Sequence, residues 1–144
     1  MTVPEKLQQL LDAFQMFDPV DRTSMLLSYA DQFKEVPPSV ATRPFPESHH
    51  VPQCESDAYV WALKQPDSTL KLYFAVENPS GISARALATI LDKTLSGLPA
   101  REIATVGCDI VEQIFRQNIS MGKGMGLMAM VNAVQALARN ASQT

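Results

Sequence analysis

A proline-rich segment in the first half of the chain sets the first limit on what this sequence can fold into. Five of the ten prolines lie between Val36 and Pro52, together with both histidines, His49 and His50. Proline lacks a backbone N–H group and biases the residue before it toward an extended conformation. We therefore expect an ordered or semi-ordered loop that contains neither a helix nor a sheet ladder and that ends at Cys54.

The residues before this loop have the periodicity of a helical hairpin. Apolar side chains recur every three or four positions, which places them on one face of an α-helix. The first helix is predicted over residues 3–16. Asp18 and Pro19 then supply an N-cap and a proline at the first helical position, and the second helix runs to about Lys34. The apolar faces consist of Leu7, Leu10, Leu11, Phe14 and Phe17 in the first helix and Met25, Leu26, Tyr29, Ala30 and Phe33 in the second.

The residues after the loop have the pattern of a β-hairpin. The segments Asp57–Lys64 and Thr69–Glu77 are joined by Gln65–Ser68, which carries proline at the second turn position. Apolar residues occupy alternate positions of the second segment, as expected when one face of a sheet is buried. These inward positions are Leu70, Leu72, Phe74 and Val76.

The remainder of the chain is predicted to be helical. A third helix is marked by Leu87, Ile90, Leu91 and Leu95 and closed by Gly97 and Pro99, and short helical turns are predicted at Pro99–Ile103 and Asp109–Arg116. Three glycines in five residues are expected to interrupt the helix over Ser120–Gly126, and a last amphipathic helix follows from Leu127. The order ααββααα predicts an α+β fold, with one domain over residues 1–144 and helices on one face of a small antiparallel sheet.

Composition excludes several classes of protein. The chain has 144 residues and a formal net charge of −3, so it lacks the basic footprint of a protein that binds nucleic acid or an anionic membrane. Its two cysteines, Cys54 and Cys108, lack metal-ligand spacing, and a chain of this length needs no disulfides to fold. No apolar stretch is long enough for a signal peptide or a transmembrane helix. We expect no metal site, and a cytoplasmic protein with reduced thiols.

Cys54 is the candidate nucleophile. It stands where the loop meets the first strand, a usual position for functional residues, and its neighbours include Glu55 and Asp57. These carboxylates oppose ionisation of the thiol, whereas a protonated histidine of the loop would favour it. The sequence leaves open both a reactive thiol and a buried, inert cysteine.

Three other features are candidate sites. Cys108 begins an apolar stretch and is interpreted as a small core residue at the start of a helix. His49 and His50 are adjacent, so their side chains point apart in an extended loop. We expect solvated histidines, not a metal site or a Cys/His catalytic pair. Lys123 lies between two glycines outside any P-loop motif, and a lone cation there suggests contact with an anion or an acidic partner.

Two segments resemble the SufE family of sulfur-acceptor proteins, which act with cysteine desulfurases. The segment VPQCESDAYVW, residues 51–61, is similar to the family segment V-x-G-C-x-S-x-V-W. The segment ISMGKGMGL, residues 119–127, is similar to L-(T/S)-P-S-R-x-N/Q-G-L. The order of the predicted elements also agrees with that family. The resemblance implies that Cys54 accepts sulfur and that Ser56, Asp57, Tyr59, Lys123 and Gly126 bind the partner or support the site.

The resemblance also implies a function. Cys54 would take persulfide sulfur from a cysteine desulfurase, stimulate that enzyme and pass the sulfur to an iron–sulfur scaffold. No cofactor is expected in this chain, since pyridoxal phosphate belongs to the desulfurase. Gln53 replaces the family glycine before the cysteine, and Lys123 replaces the family arginine. An alternative therefore stays open, in which the protein is an interaction module that binds or regulates a desulfurase without transferring sulfur.

Overall fold

The computed structural model describes residues 3–116 and 119–143, which form an α+β fold. Within these residues, six α-helices and three strands follow one another in the order ααββαβααα. The helices are α1 (Glu5–Gln15), α2 (Pro19–Asp31), α3 (Ile82–Leu95), α4 (Ala100–Ile103), α5 (Ile110–Phe115) and α6 (Met121–Ser142). The strands are β1 (Ala58–Lys64), β2 (Thr69–Val76) and β3 (Leu98–Pro99).

The main core lies between the sheet and the helices. β1 and β2 pair antiparallel, from Ala58 opposite Val76 to Lys64 opposite Leu70. The alternate apolar residues of β2 are buried, and α3 and α6 pack against this face of the sheet. The predicted arrangement, helices packed on one face of a small antiparallel sheet, is confirmed.

A short third strand completes the sheet and was not predicted. β3 pairs antiparallel with the start of β2, with Leu98 opposite Leu70 and Pro99 opposite Thr69. Two residues are too few to produce an alternating pattern, and proline is found in strands mainly at edges. The predicted order ααββααα therefore lacked one strand and one helix, and the short helical turn predicted at Pro99–Ile103 is present as α4.

The proline-rich segment covers the other face of the sheet. Val36 and Phe45 from this segment form a second apolar cluster with Trp61 and Ala75 of the sheet. The expectation that the segment holds neither helix nor ladder is wrong, because a 3-10 helix forms at Glu47–His49 and His50 makes a β-bridge with Tyr59. Apolar contacts with the sheet order this segment despite its missing backbone donors.

The expectation of two solvated histidines is also wrong. Both side chains are half-buried against the aromatic residues of β1. The His49 ring stacks on Trp61 at 5.2 Å between centroids, and the His50 ring lies 4.9 Å from that of Tyr59. The Nδ1 atom of His49 lies 2.9 Å from the carbonyl oxygen of Val60. The histidines thus fasten the loop to the sheet shortly before Cys54.

The predicted helix break over Ser120–Gly126 is wrong. α6 begins at Met121 and contains all three glycines of that segment. Ser120 caps the helix, because its side chain accepts a hydrogen bond from the backbone N–H of Lys123. A glycine in a helix interior costs only about 1 kcal/mol relative to alanine, which a cap and a packing contact can offset.

The other element ends differ from the predicted ones by a few residues. α1 begins at Glu5, α2 ends at Asp31 before the predicted end at Lys34, and α3 begins at Ile82, ahead of the first residue that marked it. β1 begins at Ala58, one residue after the predicted start at Asp57. None of the described helices is both long and apolar enough to cross a membrane.

Candidate functional site

Cys54 lies in a short loop between the proline-rich segment and β1. The loop is held at its base by a hydrogen bond from the Val51 N–H to the carbonyl of Ala58, at 2.8 Å. It turns back on itself through a bond from the Asp57 N–H to the carbonyl of Cys54, at 3.1 Å. Gln53 and Asp57 both have positive φ, 60° and 52°. The Cys54 loop, defined here as residues 53–57, is therefore bounded by two left-handed residues.

Three hydrogen bonds fasten the Cys54 loop to the segment after β2. The N–H groups of Glu77 and Asn78 donate to the carbonyls of Asp57 and Ser56, each at 3.1 Å. The side-chain amide of Asn78 donates to the carbonyl of Glu55, also at 3.1 Å. Since these bonds involve three consecutive residues of the loop, its backbone on this side of Cys54 is well defined.

Two glycines allow neighbouring segments to approach the Cys54 loop closely. A Cβ atom on Gly126 would lie 3.3 Å from the Cα of Cys54 and 3.6 Å from its Sγ. A Cβ atom on Gly81 would lie 3.1 Å from the Cβ of Ser56 and 2.7 Å from a side-chain carbon of Val76. The loop is thus packed between α6 and the N-terminus of α3, at positions where a larger residue has no room.

A cavity of about 230 Å³ opens beside Cys54. The thiol forms part of its wall, although the residue is only 8% exposed. The other walls come from the Cys54 loop, from the segment that leads into α3 and from the first turns of α6. The lining residues are Cys54, Glu55, Ser56, Asn78, Ser80, Gly81, Ser83, Gly122, Lys123, Gly126 and Leu127.

The cavity lies at the N-terminal ends of two helices. Ser83 stands in the first turn of α3, and Gly122 and Lys123 stand in the first turn of α6. Helix N-termini carry a partial positive charge from backbone N–H groups without intrahelical partners. α6 is capped by Ser120, whereas α3 has no side-chain cap. The N-terminal ends of both helices therefore border the cavity beside the thiol.

Comparison with known proteins identifies a family that matches most of this chain. A model of the SufE domain, described as an Fe-S metabolism associated domain, matches residues 8–138. The chain belongs to the SufE family. This membership supports a role in iron–sulfur metabolism.

One solved structure shows the fold of this SufE-family protein over its whole length. The solution structure of a hypothetical protein from Thermus thermophilus is 26% identical in sequence and superposes with a TM-score of 0.78, covering 99% of this chain and 100% of that one. No curated protein matches the sequence.

Four of the six site residues predicted for this SufE-family chain meet at the cavity. Cys54, Ser56, Lys123 and Gly126 all line it. Lys123 is exposed, and within residues 3–116 and 119–143 it forms no ion pair. The structure therefore places residues from both segments that resemble the family in the wall of one small cavity.

Asp57 and Tyr59 lie away from the cavity. The side-chain oxygen of Asp57 is 3.4 Å from Nε2 of His50, at the base of the Cys54 loop. The ring of Tyr59 packs on the opposite face of the sheet, 5.2 Å from that of Phe45, and burial there raises the pKa of its hydroxyl. Both residues connect the loop to the sheet, which suits a supporting role better than contact with a reacting sulfur.

The remaining candidates are not brought to the thiol. Neither histidine lines the cavity, and among the described residues the hydrogen-bond partners of the two histidine rings are Val60 and Asp57, not Cys54. Cys108 is half-buried just before α5 and packs against the core, which agrees with a structural interpretation, although it is less buried than expected.

Sequence reasoning missed the wall of the cavity formed by residues 78–83. Asn78, Ser80, Gly81 and Ser83 each line the cavity, and none of them was among the predicted site residues. The cluster of small polar residues before α3 was a usable signal, because such residues cap helices and border sites.

Proposed function

We propose that this SufE-family protein accepts sulfane sulfur on Cys54 from a cysteine desulfurase and delivers it to iron–sulfur cluster assembly. The proposal rests on one observation above the others. The thiol of Cys54 borders a small cavity that a lysine and the first turns of two helices also line, on a loop that is held at both ends. A site of this kind can hold a reactive sulfur while limiting its contact with solvent.

The chemistry is an exchange of one sulfur atom between two cysteines. The Cys54 thiolate attacks the terminal sulfur of the persulfide on the desulfurase. A new S–S bond forms at Cys54, and the S–S bond on the donor breaks, leaving a donor thiolate. No net oxidation occurs, as in thiol–disulfide exchange. The pyridoxal phosphate that generates the donor persulfide would belong to the desulfurase, and this chain contributes the acceptor thiol.

Transfer requires the Cys54 loop to move. With only 8% of the residue exposed, a cysteine of another protein cannot reach the sulfur in this conformation. Two of the bonds that hold the loop are backbone hydrogen bonds from residues 77 and 78, each with a net contribution of only about 1 kcal/mol. A docking partner could therefore displace the loop at modest energetic cost.

Stimulation of a desulfurase tests the proposal directly. Purified protein is added to a candidate desulfurase with cysteine and a reductant, and sulfide release is measured. We expect stimulation by the wild type and by Cys108→Ser, and none by Cys54→Ser, because only Cys54 borders the cavity. Cys108→Ser is the matched control for loss of a thiol.

The alternative function gives a different result. A module that only binds or regulates the desulfurase would stimulate it equally with and without the Cys54 thiol. Stimulation that survives Cys54→Ser would therefore reject the sulfur-acceptor proposal. Mass measurement of the Cys54 peptide after turnover provides a second check, since an acceptor carries one additional sulfur there.

A further inference from the structure

The cavity is lined by charged and hydroxyl-bearing residues as well as by Cys54. Its charged lining consists, among the described residues, of the exposed Lys123 and the exposed Glu55. Ser56 and Ser83 also line it, and neither hydroxyl group has a hydrogen-bond partner within the described part of the chain. Two hydroxyl donors and a cation are thus available to a ligand without breaking an existing bond.

The wall at α3 is held in place, and the N-terminus of this helix has no side-chain cap. α3 is 14 residues long and has no side chain at its N-cap. Arg85 holds the preceding turn in place by donating to the carbonyls of Val76, Asn78 and Pro79 at 3.0–3.2 Å. The N–H of Ile82 donates to the carbonyl of Ser80 at 2.9 Å, whereas the N–H groups of Ser83 and Ala84 have no partner among the described residues. An anion in the cavity would therefore meet a fixed helix N-terminus with donors left at Ser83 and Ala84.

The position of the Cys54 thiol in the cavity wall indicates which anion the cavity binds. Cys54 is more than nine-tenths buried, lines the cavity and makes no hydrogen bond with the described residues through its thiol. A sulfur atom added to it is about the size of a water molecule, which occupies about 30 Å³ in the liquid. The cavity, at about 230 Å³, accepts that atom without movement of the loop.

We propose that this cavity is a binding site for the anionic terminal sulfur of a Cys54 persulfide, with Lys123 as its counter-ion and Ser83 at the start of α3 as its donor. The inference rests on the proposed function and adds to it the group that stabilises the stored sulfur. Groups around so small a cavity lie within about one Debye length, roughly 8 Å at physiological ionic strength, so salt screens them weakly. The carboxylate of Glu55 repels the persulfide anion, so the positive charge of Lys123 is needed to offset that repulsion.

Keeping the persulfide ionised protects it. A thiol reductant acts as a thiolate that attacks the outer sulfur and displaces the Cys54 thiolate, so the sulfur leaves as a persulfide of the reductant. A negatively charged persulfide repels this attack, whereas the neutral form is the better electrophile. Loss of Lys123 therefore favours the neutral form and shortens the lifetime of the stored sulfur.

The test uses the full chain with Cys108→Ser, so that Cys54 is its single cysteine. Inorganic polysulfide loads the thiol without any desulfurase: Cys54 gains one sulfur atom, and the polysulfide is shortened by one. The variants are Lys123→Met, Lys123→Arg, Ser83→Ala and Lys64→Met. Lys64 is an exposed control at the far end of β1, about 20 Å along the strand from Ala58.

Two properties of the loaded persulfide are measured, the pH midpoint of its ionisation by absorbance and its rate of loss to a thiol reductant. For Lys123→Met we expect the midpoint to rise by about one pH unit and the loss at neutral pH to be roughly threefold to tenfold faster. Lys123→Arg should restore both properties, Ser83→Ala should shift both partway, and Lys64→Met should match the parent. An unchanged midpoint and lifetime in Lys123→Met would overturn the inference.

Failure of this inference is distinguishable from failure of the proposed function. If desulfurase stimulation depends on Cys54 but the pH midpoint of persulfide ionisation is unchanged in Lys123→Met, the acceptor function stands and the anion site is wrong. If that midpoint rises in Lys123→Met but the protein stimulates no desulfurase, the anion site stands and the acceptor function is wrong.

Discussion

Gln53, the residue before Cys54, adopts a left-handed conformation at φ 60°. This backbone conformation costs most L-residues roughly 1–2 kcal/mol, whereas glycine adopts it freely. The segment of the SufE family that this chain resembles has glycine at that position. The structure thus gives a physical reason for the family glycine, and this chain tolerates glutamine there at the expense of backbone strain.

Gln53→Gly is expected to stabilise the folded protein. The relief of strain exceeds the added entropy of the unfolded chain, so the free energy of unfolding should rise by about 0.5–1 kcal/mol. Urea denaturation measures this difference. Gln53→Ala is the matched control, because alanine retains a Cβ atom and hence the strain. Equal stability changes in the two variants would contradict this explanation.

Among the elements, α6 shows most clearly where local patterns stop being informative. The alternation in β2 and the apolar spacing of α1 and α2 predicted those elements because each buries one regular face. Gly122, Gly124 and Gly126 predicted a break by the same local reasoning. A tertiary contact overrides this local preference, because Gly126 packs against Cys54, which is 72 positions earlier in the chain. The cavity wall at residues 78–83 was missed for the same reason, because it also depends on tertiary contacts that local patterns do not show.

Gly126→Ala should disturb the Cys54 loop through α6. The new Cβ atom would lie 3.3 Å from the Cα of Cys54 and 3.5 Å from the carbonyl oxygen of Gln53, which forces the loop outward by a few tenths of an ångström. We expect alkylation of Cys54, measured in the Cys108→Ser background, to accelerate several-fold. Strain and the gain in helix propensity oppose each other, so stability should fall by only about 0.5–2 kcal/mol.

Gly122→Ala is the matched control in the same helix. A Cβ atom there has no neighbour within 4 Å, so this variant gains helix propensity without touching the loop. Its alkylation rate should equal that of the parent. If both alanine variants accelerate alkylation equally, the effect belongs to the helix and not to the contact with Cys54.

At the scale of the whole molecule, the sheet is buried on both faces by different kinds of structure. Helices cover one face, and the proline-rich segment covers the other through Phe45, Trp61 and the stacked His49. The Cys54 loop begins where this segment leaves the sheet. The scaffold is therefore rigid up to Val51 and again from Ala58, and a movement that exposes Cys54 can stay confined to the residues between them.

Arg22 connects parts of the helical layer that are distant in sequence. It is 3% exposed and donates to the carbonyls of Phe14 in α1 and Phe17 just after it, at 2.8 and 3.1 Å, and to that of Ile114 in α5, at 3.0 Å. Burial lowers the pKa of its guanidinium, and the nearby Arg116 lowers it further. These three bonds compensate for the loss of hydration of the charge.

Arg22→Met should therefore destabilise the fold by about 2–4 kcal/mol, because it removes three charge-assisted hydrogen bonds and leaves the buried carbonyls with fewer donors. Arg22→Lys keeps the charge without the planar fork, so a smaller loss is expected. Urea denaturation gives both values. Desulfurase stimulation by folded Arg22→Met should equal that of the wild type, because Arg22 does not line the Cys54 cavity. If Arg22→Met instead loses stimulation and keeps its stability, Arg22 acts on the Cys54 site and does not stabilise the packing of the helices.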